Sequence, residues 1–126
     1  MKGMIIVEAL YNKIQEYLNM DEEISFEEFD DFYKQVVSEL SERHEQLDEE
    51  DLWKALYVVE NIMSNADSRA NSLKGAVSKK YRKMAERTQL WSKNFMGRLR
   101  ALGYTEEQIN ERFDKMYEEL PASSES

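Results

Sequence analysis

Apolar residues recur at intervals of three and four through most of the chain, and this spacing predicts helices. A first helix over about Ile5 to Leu18 is indicated by Ile6, Leu10 and Ile14, which would lie on one helical face. The alternating pattern of a half-buried strand does not occur, and no pair of segments reads as a hairpin. The pattern therefore predicts an all-α protein.

The second predicted helix has a well-marked start. Ser25 and Glu28 form an S-x-x-E capping box, and Ile24 with Phe29 is spaced as a hydrophobic staple. Aromatic and aliphatic side chains then predict a wide buried face, made of Phe26, Phe29, Phe32, Tyr33, Val36, Val37 and Leu40.

A heptad-like stripe begins at Leu52 and continues through Val77, Tyr81 and Met84 to Leu102. As one helix, residues 49–102 would be about 80 Å long, whereas a compact domain of this size is roughly 35 Å across. We therefore expect either a break within residues 64–75, which are rich in Ser, Asn and Asp, or an elongated molecule whose stripe is covered by a partner. The fold prediction is a helical bundle or an elongated helical hairpin.

The last helix is predicted between two stop signals. Gly103 is typical of a helix C-terminus, and Thr105 with Gln108 forms a second capping box. Pro121 would end the helix. We expect one helical domain over residues 1–120 and a flexible tail over residues 121–126.

The stretch RLRALGYTEEQINERF (residues 98–113) resembles the helix–Gly-aromatic–helix turn of ubiquitin-associated domains. The resemblance covers 16 residues and implies a third helix after them, where this chain has Pro121 and the tail. The same residues are also explained without the resemblance, as a glycine that ends one helix followed by a capping box that starts the next.

Charge is divided into blocks along the chain. The formal net charge is −9, made up of −13 over residues 1–68, +9 over residues 69–100 and −5 over residues 101–126. Helical spacing places eight bases of the central block off the apolar stripe, on a candidate basic face: Lys79, Lys80, Arg82, Lys83, Arg87, Lys93, Arg98 and Arg100.

Three interpretations of the basic face are open. Acidic helices of the same chain can pack beside it, or residues 74–100 can bind nucleic-acid phosphates without reading sequence. It can also dock on an acidic protein or a membrane surface. The converse candidate is an acidic interaction surface that would engage a basic groove: Glu22, Glu23, Glu27, Glu28, Asp30 and Asp31.

Residues that usually carry chemistry are scarce. The chain has no Cys and one His, His44, which we expect on an exposed helical surface. No nucleotide, calcium or catalytic motif is found, so we expect no catalytic residues, metal or cofactor. No segment is apolar enough to span a membrane or serve as a signal peptide.

The sequence thus favours a non-enzymatic, cytoplasmic interaction protein with a protein partner. We expect a small acidic adaptor, regulator or inhibitor, with a homodimer as one arrangement. By class-level analogy, a mobile element such as a phage could encode it, and it could act on a nucleic-acid-handling complex. The alternative function is a nucleic-acid-associated protein that uses the basic helix.

Overall fold

The structure is a computed structural model that describes residues 2–20 and 23–118, with side chains from Val7 onward. These residues form five α-helices and one 3₁₀ turn, without a strand among them. The predicted all-α helical bundle is therefore confirmed. The helices are α1 (Lys2–Leu18), α2 (Phe26–Arg43), α3 (Glu49–Ser72), α4 (Gly75–Ala101) and α5 (Glu106–Glu118), with the 3₁₀ turn at His44–Gln46.

The long stripe is divided between two helices. α3 ends at Ser72, and Leu73 and Lys74 are extended. Gly75 then takes a φ of +71°, a left-handed conformation that favours glycine. The break lies inside the predicted segment 64–75, and the alternative of one uninterrupted helix is wrong.

The break lets α4 fold back along α3 as an antiparallel hairpin. The hydroxyl of Ser78, in the first turn of α4, donates to the Ala70 carbonyl of α3 at 2.7 Å. Tyr81, Phe95 and Leu99 of α4 are almost fully buried. The stripe is thus covered within one chain, which removes the uncovered stripe as a reason to expect self-association.

Two further helix pairs run parallel. α1 lies along α3, where Tyr11 packs edge-on against Tyr57 at 5.3 Å and Lys54 Nζ lies 3.2 Å from Glu8 Oε1. α2 lies along α4 in the same sense. The start of α2 meets Tyr81, and the ring of His44, just after α2, packs on Trp91 at 5.2 Å.

α5 covers part of α3. The ring of Tyr57 lies 5.8 Å from that of Phe113 and 4.8 Å from that of Tyr117. Buried apolar side chains from all five helices belong to one core cluster. The predicted tail, Leu120 and Pro121 lie outside the described residues.

The predicted helix starts are confirmed by their capping bonds. The Glu28 amide donates to Ser25 Oγ at 3.0 Å. Thr105 and Gln108 form a reciprocal capping box, with amide to side-chain oxygen distances of 2.9 and 3.1 Å. At α2 the Glu28 carboxylate instead accepts from the Tyr17 hydroxyl at 3.0 Å.

The end of α4 is closed by a Schellman motif. Gly103 has a φ of +111°, and its amide donates to the Arg100 carbonyl at 2.9 Å. The Tyr104 amide reaches back to the Leu99 carbonyl at 3.2 Å. These two bonds satisfy carbonyls that the last helical turn leaves without partners.

Three residues predicted to face inward are at least half exposed: Phe26, Val77 and Leu102. Phe26 is 50% exposed because it lies on the flank of α2, where it packs against Tyr81 at 5.7 Å instead of entering the core. Val77 is also 50% exposed. It lies in the first turn of α4, one turn before Tyr81, and Leu102, which is 55% exposed, follows the last residue of α4.

The hairpin turn generates a first prediction. Gly75→Ala should lower the free energy of unfolding by about 1–2 kcal/mol, because a Cβ is strained at positive φ even where space is open. Gly97→Ala is the matched control. Gly97 lies inside α4 with no atom within 4 Å of an added Cβ, so the same change should stabilise the protein by about 0.5–1 kcal/mol. Urea unfolding measures both, and equal effects would contradict the left-handed turn.

The caps generate a second prediction. Ser25→Ala and Thr105→Ala should each lower the free energy of unfolding by about 1 kcal/mol, because each removes the side-chain acceptor of a helix-start amide. Ser38→Ala, at an exposed position inside α2, serves as the control and should change stability by less than about 0.5 kcal/mol. Unchanged thermal stability in both cap variants would refute the assigned helix starts.

Candidate interaction surface

The outer face of α4 carries three lysines that form no ion pair with a described carboxylate, and one exposed acid, Glu86, lies among them. Lys79, Lys83 and Lys93 are exposed and form no ion pair within 4 Å with another described residue. The opposite face of α4 packs on α3, so these lysines point to solvent. We call Lys79, Lys83 and Lys93 the outer lysine face.

The remaining predicted bases have other surroundings. Lys80 Nζ lies 2.5 Å from Asp30 Oδ2 of α2, and this hydrogen bond raises the pKa of Lys80. Arg100 is 3.9 Å from Glu106, and Arg98 donates to the His44 carbonyl at 2.7 Å. Pairing with acidic helices therefore involves two of the eight bases, Lys80 and Arg100.

Arg82 and Arg87 are exposed on opposite flanks of α4. Arg82 borders a groove between α3 and α4 that Glu60, Asp67 and Glu86 also line, without an ion pair within 4 Å. Arg87 faces α2, where it contacts the Tyr33 phenol and opposes the rise in pKa that burial causes there. Both guanidinium groups thus remain accessible at the surface.

The predicted acidic surface is only partly free. Glu23, Glu27 and Asp31 are exposed, while Glu28 accepts from Tyr17. Asp30 is half-buried and has a structural role, because it accepts from both Lys80 and the Tyr81 hydroxyl. Glu22 lies outside the described residues.

A groove between α2 and α4 was not predicted. It encloses about 490 Å³, with Leu90 on its rim 68% exposed. His44 is half-buried in the groove against Trp91, which corrects the expectation of an exposed helical residue. The lining is Val37, Ser41, His44, Arg87, Leu90, Trp91 and Asn94.

Arg69 is a further residue that sequence reasoning missed. It is 4% exposed, and its guanidinium lies 4.7 Å from the ring centres of both Phe26 and Phe29. Its Nη2 donates to the Ile24 carbonyl at 2.9 Å, and its Nε to Asn65 at 2.5 Å. Cation–π contacts and these bonds replace a carboxylate partner, so Arg69 fixes the start of α2 against α3.

The other buried polar groups mostly bond between or within helices. The Ser92 hydroxyl of α4 donates to Glu60 of α3, and the Thr88 hydroxyl donates to the Met84 carbonyl at 2.8 Å. Asp51, at the start of α3, is buried with one oxygen unbonded, and burial raises its pKa. Within the described part of the chain, no three His, Asp or Glu side chains cluster as metal ligands.

The described helices also include none that is both long and apolar enough to cross a membrane. Comparison with protein-family models, curated proteins and solved structures finds no match to this chain. The protein is thus an all-α helical bundle, and its function has to be inferred from the surfaces described above.

Two buried tyrosines generate a third prediction. The Tyr57 hydroxyl is buried without a hydrogen-bond partner among the described residues, and burial raises its pKa. Tyr57→Phe should therefore raise the free energy of unfolding by about 1 kcal/mol. Tyr81→Phe should lower it by about 1 kcal/mol, because it removes the 3.0 Å bond to Asp30. Chemical denaturation compares the pair, and a loss of stability in both would show that Tyr57 has a partner.

Proposed function

We propose that this protein is a non-enzymatic interaction module, a small adaptor, regulator or inhibitor that binds an acidic partner protein in the cytoplasm. The binding surface is the outer lysine face of α4. Arg82 extends it along one flank of the helix.

One observation carries this proposal. The chain has 26 acidic side chains against 17 basic ones, yet the outer lysines lie beyond ion-pair distance of every described carboxylate. An exposed lysine that pairs within its own fold gains less than about 1 kcal/mol, so folding places little demand on these positions. Three unpaired lysines on one rigid helix instead present a fixed positive pattern to a partner.

The charge of the rest of the molecule supports a protein partner. Complementary charged patches steer association and suppress wrong partners. Here a positive strip lies on a molecule whose net charge is −9. Long-range repulsion opposes approach to uniformly anionic polymers, while an acidic patch on a protein can meet the strip at close range.

Charge reversal on the outer face gives the fourth prediction. Lys79→Glu/Lys83→Glu should abolish capture of the partner from cells of the native host, as measured by affinity purification and mass spectrometry. The matched control is Lys13→Glu/Lys115→Glu, which changes net charge equally at exposed positions on α1 and α5. It should leave capture unchanged. Equal loss in both variants would mean that net charge, and not this face, determines binding.

A nucleic-acid-associated function is the second candidate, favoured by the same free lysines. Backbone binding would show a steep fall in affinity with rising salt, because each neutralised phosphate releases counterions. Titration of the protein against generic DNA and RNA at low salt separates the two functions. Binding that is lost in the Lys79→Glu/Lys83→Glu variant would replace the protein-partner proposal, and absence of binding would eliminate this second candidate.

A further inference from the structure

The α2–α4 side of the molecule carries two sites at which an exposed apolar side chain lies beside charged residues. The charged residues are acidic at one site and basic at the other. At one end, Phe26 is 50% exposed between the exposed carboxylates Glu23 and Glu27. At the other end, Leu90 is 68% exposed on the rim of the groove that contains Trp91. We call these the acidic–aromatic site and the groove.

The groove has basic neighbours, whereas the acidic–aromatic site has acidic ones. Arg87 lines it, and Lys83 lies one turn earlier on α4. The residues that line the groove include no carboxylate. An aromatic side chain flanked by acids therefore complements the groove both in polarity and in charge.

The two sites lie too far apart to meet within one molecule. Phe26 packs beside Tyr81, and Leu90 follows Tyr81 by nine residues, about 13 Å along α4. Phe26 contacts Tyr81 of α4 and Leu90 borders the groove between α2 and α4, so both sites lie along the seam of these two helices. A two-fold axis between the sites would place each Phe26 on the other copy's groove, forming the same contact twice.

We propose that the groove is occupied by the acidic–aromatic site of a second copy of this chain, in a closed two-fold homodimer. The contact is self-complementary, as a two-fold interface requires, and closure stops growth at two copies. This dimer contact does not depend on an uncovered heptad-like stripe, since α3 and α4 cover the stripe within one chain. It goes beyond the proposed function, although the two surfaces adjoin: Lys83 belongs to the outer lysine face, and Leu90 follows Lys83 by seven residues on the same side of α4.

Sedimentation velocity over a range of concentrations tests the dimer. The wild-type protein should show a monomer–dimer equilibrium that weakens with added salt. Leu90→Glu should raise the dimer dissociation constant at least about tenfold, as for loss of a central interface side chain. Leu102→Glu is the matched control. Leu102 is a 55% exposed leucine at the end of α4, outside both sites, and its substitution should leave dimerisation unchanged.

A charge exchange tests the pairing itself. Arg87→Glu places an acid opposite Glu27, and Glu27→Arg places a base opposite Arg87, so each variant alone should be monomeric at concentrations where the wild type is dimeric. Mixed in equal amounts, the two variants should form a heterodimer, because both of its contacts then join opposite charges. Circular dichroism melting of each variant confirms that the fold is kept.

Several results would overturn the proposal. A wild-type protein that stays monomeric would show that a second copy does not occupy the groove. Dimers that tolerate Leu90→Glu would place the interface elsewhere, and growth beyond two copies would exclude the closed arrangement. Failure of the mixed variants to associate would refute the pairing of the two sites. The outer lysine face has its own test, partner capture with the Lys79→Glu/Lys83→Glu variant, so failure of the dimer and failure of partner binding are measured separately.

Discussion

The packing of α4 back onto α3 is the contact on which the rest of the structure depends. Neither helix could bury its stripe alone, and a continuous helix would have exposed the stripe along its whole length. The left-handed Gly75 reverses the chain, after which Tyr81, Phe95 and Leu99 reach the core. Burial of each such side chain contributes about 1.5–3 kcal/mol, so the hairpin supplies much of the hydrophobic stabilisation.

Polar contacts then fix where the other helices lie on this hairpin. Asp30 joins α2 to α4 through Lys80 and the Tyr81 hydroxyl, while Arg69 joins the start of α2 to α3. These groups are buried or half-buried, so leaving either without its partners would carry the cost of an unsatisfied polar group. Their directionality selects one placement of α2 among those that hydrophobic contact alone would allow.

The fold-back also decides which charges remain available. With one side of α4 against α3 and a flank near α2, the flank bases near Asp30 and the His44 carbonyl become structural. The outer lysines gain no such neighbours. An acidic protein thereby keeps a positive strip at its surface, and a basic groove beside an acidic–aromatic site. Both proposals depend on this difference between charged side chains that are bonded within the fold and charged side chains that are not.

The sequence by itself determined the helices and most of their ends. Capping boxes, the glycine cap and the three-four spacing act between residues close in the chain, so Ser25, Thr105 and Gly103 could be interpreted without knowing the fold. The segment of the break was also predictable from its weak helix formers. Only the tertiary structure decided that the chain reverses there, because the heptad-like spacing is compatible with one helix or two.

Side-chain roles that depend on distant residues were likewise beyond the sequence. Phe26, Val77 and Leu102 have inward helical phase, yet each is at least half exposed in the folded chain. In the sequence Arg69 is not distinguished from the other basic residues. Only the fold brings it against the Ile24 carbonyl and the rings of Phe26 and Phe29. The groove at Leu90 exists only because α2 runs parallel to α4. Local spacing determines helical phase, whereas burial and partnership depend on which other helix lies opposite.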